Sequence, residues 1–373
     1  MGTFQTYQTI QRYEDALQRH AQWVRWVSGI VCPCLTPETG QPDPHCPTCK
    51  GRGKIYTSPG KLRLLNDLVK HDENGRVYPK KTPIVVGSAT VCRAGVPLPL
   101  ASVQPADGSY VQLANFPYPK VYEILTMDCD YDPDISVVAE NSTVYGTNVL
   151  RVIAPLFSDK GKQFEGSIKT VTRVRNVTRS LTYTVVSSFK VYIHLLAMPS
   201  WVSGDILEVD YVYQKPFEFM LTGISPKMRY NQPYVLEQAD ATLVTPYWAQ
   251  VAPDDLFTTM AVEQTGRAVL QPTLTAGNDI ISAYYDLSRL LRVIDATGRE
   301  YSTGVGKDVE LYGRNELKWN ITKPAVALTA QFTYHPTYIA LEQMHTLRNS
   351  ENKAFVNRIG VRQFDHVHEK VEY

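Results

Sequence analysis

The sequence has no apolar run long enough to cross a bilayer as a helix and almost no net charge, with 38 Lys and Arg against 37 Asp and Glu in 373 residues. The first absence argues for a soluble chain rather than a membrane-embedded one. The second removes any global pull toward DNA, RNA or anionic lipid. The signatures of common catalytic machinery are missing too. There is no phosphate-cradling G-x-x-x-x-G-K-S/T loop, and Gly304-Val-Gly306-Lys-Asp-Val lacks the third glycine of a dinucleotide site. Neither a G-x-S-x-G elbow nor an H-E-x-x-H helix occurs. No charged and then apolar leader precedes the first cysteines, so the thiols are expected to stay reduced and the sequons at Asn141, Asn176 and Asn320 to be chance matches.

Cysteine is scarce, and four of the six lie within eighteen residues: Cys32-Pro-Cys34, then His45-Cys46-Pro-Thr-Cys49-Lys-Gly51-Arg-Gly53. Two thiolate pairs either side of a short loop close a tetrahedral site for zinc, and the glycines permit a tight turn that aims backbone N–H groups at sulfur. The expected ligands of a structural zinc are Cys32, Cys34, Cys46 and Cys49. The one-residue spacing in Cys32-Pro-Cys34 leaves a second ligand set, three cysteines with His45. Disulfides require an oxidising compartment, and a redox Cys-x-x-Cys would sit between a strand and a helix. Cys92 and Cys129 read as buried free thiols. Lys50, Arg52, Lys54, Lys61 and Arg63 form a basic run beside the cluster, read as solvated surface in preference to a nucleic-acid contact.

Two further sets of potential ligands stand out. Asp128, Asp130, Asp132 and Asp134 alternate, so that on a strand they share a face that a hard cation fits. Pro133 and Ala139 stand where a helix-loop-helix calcium site needs glycine and a bidentate glutamate, so a solvated acidic loop is the preferred reading. His366 and His368 also alternate, without an evident third ligand.

With 23 Tyr and 24 Pro among many Thr and Val, the composition favours strands and structured loops. The length implies two or three domains. From Tyr7 to about Val27, Ile10, Tyr13, Leu17, Val24 and Val27 recur at helical spacing, which predicts an N-terminal amphipathic helix over 1–30. The knuckle occupies 31–60, with Lys61 to Val69 a short linking element, and a β-rich domain runs over 61–165. Pro83–Thr90, Tyr110–Leu113, Val121–Leu125 and Val149–Ile153 are its β-prone runs.

An internal repeat marks the rest of the chain. Val174, Asn176, Thr178, Tyr183 and Trp201 recur as Val293, Asp295, Thr297, Tyr301 and Trp319, with 18 residues from Tyr to Trp in each copy. Val209, Tyr211 and Tyr213 recur as Ala330, Phe332 and Tyr334, each in a strand of period two that buries one face. Copies over 166–235 and 286–373, joined by a connecting region at 236–285, give a mainly β fold of tandem small antiparallel sandwich or barrel modules. The repeated aromatics are read as core in preference to a carbohydrate platform.

Asp286-Leu-Ser-Arg289 to Gly298, Gly313-Arg314-Asn315-Glu316 to Trp319, Tyr334-His-Pro336-Thr-Tyr338 and Arg348 to Asp365 resemble the C-terminal half of virion proteins at the neck of tailed bacteriophages. Cys32 to Tyr56 is similar to a knuckle near the N-terminus of the same group. The resemblance implies a non-enzymatic head-to-tail connector or head-completion protein. Such a protein assembles as a homo-oligomeric ring in the bacterial cytoplasm, ends in the virion, and contacts portal, neck or tail proteins. A tail or baseplate protein and a zinc-ribbon nucleic-acid-binding protein are the alternatives.

Overall fold

The computed structural model describes residues 19–36, 39–49, 53–114, 118–120, 122–146, 148–153, 156–159, 162–189, 191–223, 241–272, 279–281, 286–304, 306–312, 316–341, 345–348 and 354–364. Their regular structure is mainly β with almost no helix, and no helix among them is long and apolar enough to cross a membrane. Most of the expected N-terminal helix lies outside the described residues. Its last part is not helical: Gln22–Val31 is a strand. The reason is tertiary. Trp26 is 1% exposed and packs against Phe217, Phe219 and Phe257, so partners distant in sequence override the helical spacing of Val24 and Val27.

That strand closes a six-stranded antiparallel barrel. Around it run Gln22–Val31, Phe217–Gly223, Ala241–Pro246, Ala354–Gln363, Thr337–Ala340 and Leu256–Thr259, which returns to Gln22–Val31. Its strands come from separate stretches of the chain. A second sheet is built around Leu62–His71 and Leu125–Tyr131, so the expected linker at 61–69 is a ten-residue strand. In Leu125–Tyr131 the odd positions Leu125, Met127, Cys129 and Tyr131 are buried, joining the same core as Trp26 and the barrel aromatics.

Two modules hang from this frame. The first runs from Asp134 to Gln214 and the second from Gln264 to His335, so each copy begins before the point that sequence spacing suggests. Both are insertions with adjacent ends. The Lys215 amide donates to the Pro133 carbonyl at 2.7 Å, and the Thr259 amide to Pro336 at 3.1 Å.

Seven strands correspond in order and pairing. In the second copy the sheets are Gln264–Leu270, Leu328–His335, Asp286–Asp295 and Glu300–Tyr301, faced by Asp279–Ile280, Glu316–Trp319 and Val309–Tyr312. The first copy keeps these pairings, adds one between Asp134–Gly146 and Val149–Arg151 that joins its seven strands into a single sheet, and inserts a hairpin, Leu156–Asp159 with Lys162–Glu165. Even the bulges coincide. Register shifts fall between Ile168 and Thr170 and between Val171 and Arg173 in one copy, and between Leu287 and Arg289 and between Leu290 and Arg292 in the other. The tryptophans are an exception. Trp319 faces Val309 as Leu195 faces Val185, whereas Trp201 lies in the turn beyond that strand, so their equal distance from tyrosine reflects unequal loops.

Candidate metal centre

The cysteine segment is the tip of a hairpin. Ser28, Gly29, Ile30 and Val31 pair with Thr57, Tyr56, Ile55 and Lys54, and the Cys32 amide donates to the Gly53 carbonyl at 2.8 Å. The strand therefore leaves the barrel, continues as a two-stranded arm, and the loop at its end folds back on itself.

The sulfurs of Cys32, Cys34, Cys46 and Cys49 all lie within 4.8 Å of one another. Cys32 and Cys46 approach to 3.8 Å and Cys34 and Cys49 to 3.4 Å, and all four are free thiols. A tetrahedron of sulfurs about 2.3 Å from zinc has edges of about 3.8 Å. Three of the cysteines are buried, Cys34 is half-buried, and Ile55 packs against the group. Among the described residues this is the only grouping of three or more His, Cys, Asp or Glu that brings ligand atoms together, and it does not include the exposed His45.

Every sulfur accepts a backbone N–H. Cys32 takes that of Cys34, Cys34 that of Asp43, Cys46 those of Cys49 and Thr48, and Cys49 that of Gly53. Gly53 sits at φ +72°, a conformation that glycine adopts without penalty. These donors favour thiolates and form the outer layer that orients metal-bound sulfur.

The electrostatics are uneven. The amides of Cys49 and Thr48 bring the Cys46 thiol down to about 6. Burial pushes Cys34 up to about 12, against the Asp43 amide. At Cys32 the Cys34 amide is outweighed by burial and the neighbouring thiols, a net rise. At Cys49 burial is outweighed by the Cys34 thiol and the Gly53 amide, a net fall. Four thiols so close cannot all ionise alone, and a dication removes that conflict.

The other candidates are occupied differently. Asp130 pairs with Arg63 at 2.9 Å, Asp134 takes Lys169 at 2.5 Å, and Asp132 accepts the Asp134 amide. Asp128 and Asp130 thus lie on the outer face of the strand Leu125–Tyr131, whose inner face is core, while Asp132 sits between strands and Asp134 opens the next one. Lys54 of the basic run pairs with Asp254 and Arg63 with Asp130. Lys50, Arg52, His366 and His368 lie outside the described residues. Cys129 is fully buried, Cys92 half-buried, and both are free.

Sequence reading overlooked Asp255. Its carboxylate, wholly buried, accepts the Trp26 indole N–H at 2.9 Å and the amides of Gly29 and Ala252 at 3.0 Å each. Burial raises its pKa against those donors. Ala252-Pro-Asp254-Asp255 looks like an ordinary acidic turn, and nothing local shows that it meets a strand more than two hundred residues away. No protein-family model matches the chain, and no curated protein matches its sequence.

Proposed function

We propose that this chain is a structural, non-catalytic component of a tailed-phage virion, assembled as a homo-oligomeric ring in the neck that connects head to tail, with one zinc ion held by Cys32, Cys34, Cys46 and Cys49. The observation that carries the reading is how the molecule is tied together. Two equivalent modules leave and re-enter one frame at adjacent points, which restrains each module at both ends. A ring under mechanical load needs units that cannot swing freely, and such tethering supplies them. The resemblance of Asp286 to Gly298 and of Tyr334 to Tyr338 to neck proteins is what favours that location over others.

The zinc part rests on the sulfur spacing and the N–H donor at every sulfur. When bound, zinc would supply a cross-link and no reaction, because four protein ligands leave no open position. The nucleic-acid alternative is weakened by the ion pairs of Lys54 and Arg63, which engage two cations of the basic run.

Electron microscopy of the purified chain, alone and mixed with a lysate of assembling particles, tests the reading, with zinc measured on the same sample. A closed ring, or incorporation at the junction of capsid and tail, is expected. Incorporation at the distal end would place it in the tail or baseplate, and a monomer that never joins particles would refute the virion role.

A further inference from the structure

The barrel strand Gln22–Val31 is divided in its duties. Gln22 to Val24 pair with Phe217–Gly223, and Val24 to Val27 pair with Leu256–Thr259. Ser28 to Val31 pair with Lys54–Thr57, in the arm that the cysteines close. Ile30 and Val31 on the arm are more than half exposed, so the arm buries little of its own. A two-stranded hairpin without a packed face is marginal in water.

Arm and barrel meet at one turn. Lys54 Nζ forms an ion pair with Asp254, and Gly29 N–H donates to Asp255, whose other partners include Trp26 and Ala252. A Cβ on Gly29 would lie 3.0 Å from the Asp254 carbonyl oxygen, so the two backbones are in close contact. If the arm frays, Gly29 withdraws its N–H and a buried carboxylate loses one of its donors. An undersatisfied buried charge is costly, and this one stands between the two strands of a barrel seam.

We infer that metal occupancy at the cysteine cluster controls closure of the barrel seam between Gln22–Val31 and Leu256–Thr259, with the Gly29–Asp255 hydrogen bond as the link. The inference rests on reading the four cysteines as a metal site. Metal loss then opens more than the knuckle: the seam loosens, while the second repeat module, with its own core of Val293, Leu317 and Phe332, stays closed.

Hydrogen exchange on the full chain, zinc-loaded, chelated and then reloaded with zinc, tests it. Segments 24–31 and 256–259 are expected to exchange at least about tenfold faster without metal and to recover on reloading, while 286–295 and 328–335 keep their rates. By reciprocity, Asp255→Asn should weaken zinc binding several-fold. Should that variant fail to fold, Lys54→Met cuts only the exposed tie and should weaken zinc binding in the same direction. A chain that takes up no zinc overturns the metal reading and this inference with it. Zinc uptake with unchanged exchange at 256–259 after chelation overturns the inference alone.

Discussion

The Tyr301 hydroxyl donates to Asp295 Oδ2 at 2.7 Å, and at the equivalent place in the first module Asn176 Nδ2 donates to the Tyr183 hydroxyl at 3.2 Å. The hydrogen bond is kept between the copies while its direction is reversed, because a phenol serves as donor or acceptor. In both, the Asx also holds the following turn. Asp295 Oδ1 accepts from the Thr297 and Arg299 amides, and Asn176 Oδ1 from the Arg179 amide.

The Asp295 clasp should respond to acid. The Thr297 hydroxyl first, then Tyr301 and the Arg299 and Thr297 amides, hold Asp295 down to about 2. A depressed carboxylate contributes stability above its unfolded pKa of about 4, and that contribution is lost as pH falls toward 2. Trp319, stacked edge-on against Tyr301, reports on the site. Its fluorescence should show the second module loosening over that range. Asp295→Asn should fold at neutral pH, as Asn176 does in the first copy, and flatten the acid response.

Removing Asp255 should be severe. Asp255→Ala leaves the Trp26 indole and the Gly29 and Ala252 amides without their acceptor. At 1–3 kcal/mol for each buried unpaired group, a loss of about 3 kcal/mol or more is expected in denaturant unfolding. A change below about 1 kcal/mol would mean that the amides find other partners.

Metal content should track the cluster alone. Cys46→Ser and Cys49→Ser should abolish tight zinc binding, whereas Cys92→Ser should leave it intact, as read by metal analysis after gel filtration. Protons compete with zinc for thiolate, so apparent affinity should fall as pH drops from 7 toward 5.

Gly266 is a packing constraint. A Cβ there would lie 2.7 Å from Phe332 Cε2 and 3.2 Å from Tyr334 Cε1. Gly266→Ala should cost about 1–3 kcal/mol by overpacking. Phe332→Leu added to it should recover part of that loss, and the double-mutant cycle measures how much.

The cysteine cluster was legible because its chemistry is local: ligand identity, spacing and the glycine after them are enough to bring four sulfurs together. The repeat was legible for a related reason, since Val174-x-Asn176 and Val293-x-Asp295 each encode a strand end and its turn within a few residues. The strand at Gln22–Val31 was not. Its apolar positions fit a helix equally well, and only the aromatic side chains of Phe217, Phe219 and Phe257 decide the matter. The tryptophan correspondence misled because sequence distance carries no information about register.

By itself, then, the sequence determined the mainly β character, the cluster of four cysteines and the duplicated module, all of which follow from patterns over a few residues. Tertiary structure alone decided that six distant segments close one barrel, that the cysteine arm grows out of its first strand, and that Asp255 joins the two. The reason is physical. Barrel closure and burial of a carboxylate are satisfied by partners hundreds of residues away, and a contact between remote segments leaves no periodic trace in either one.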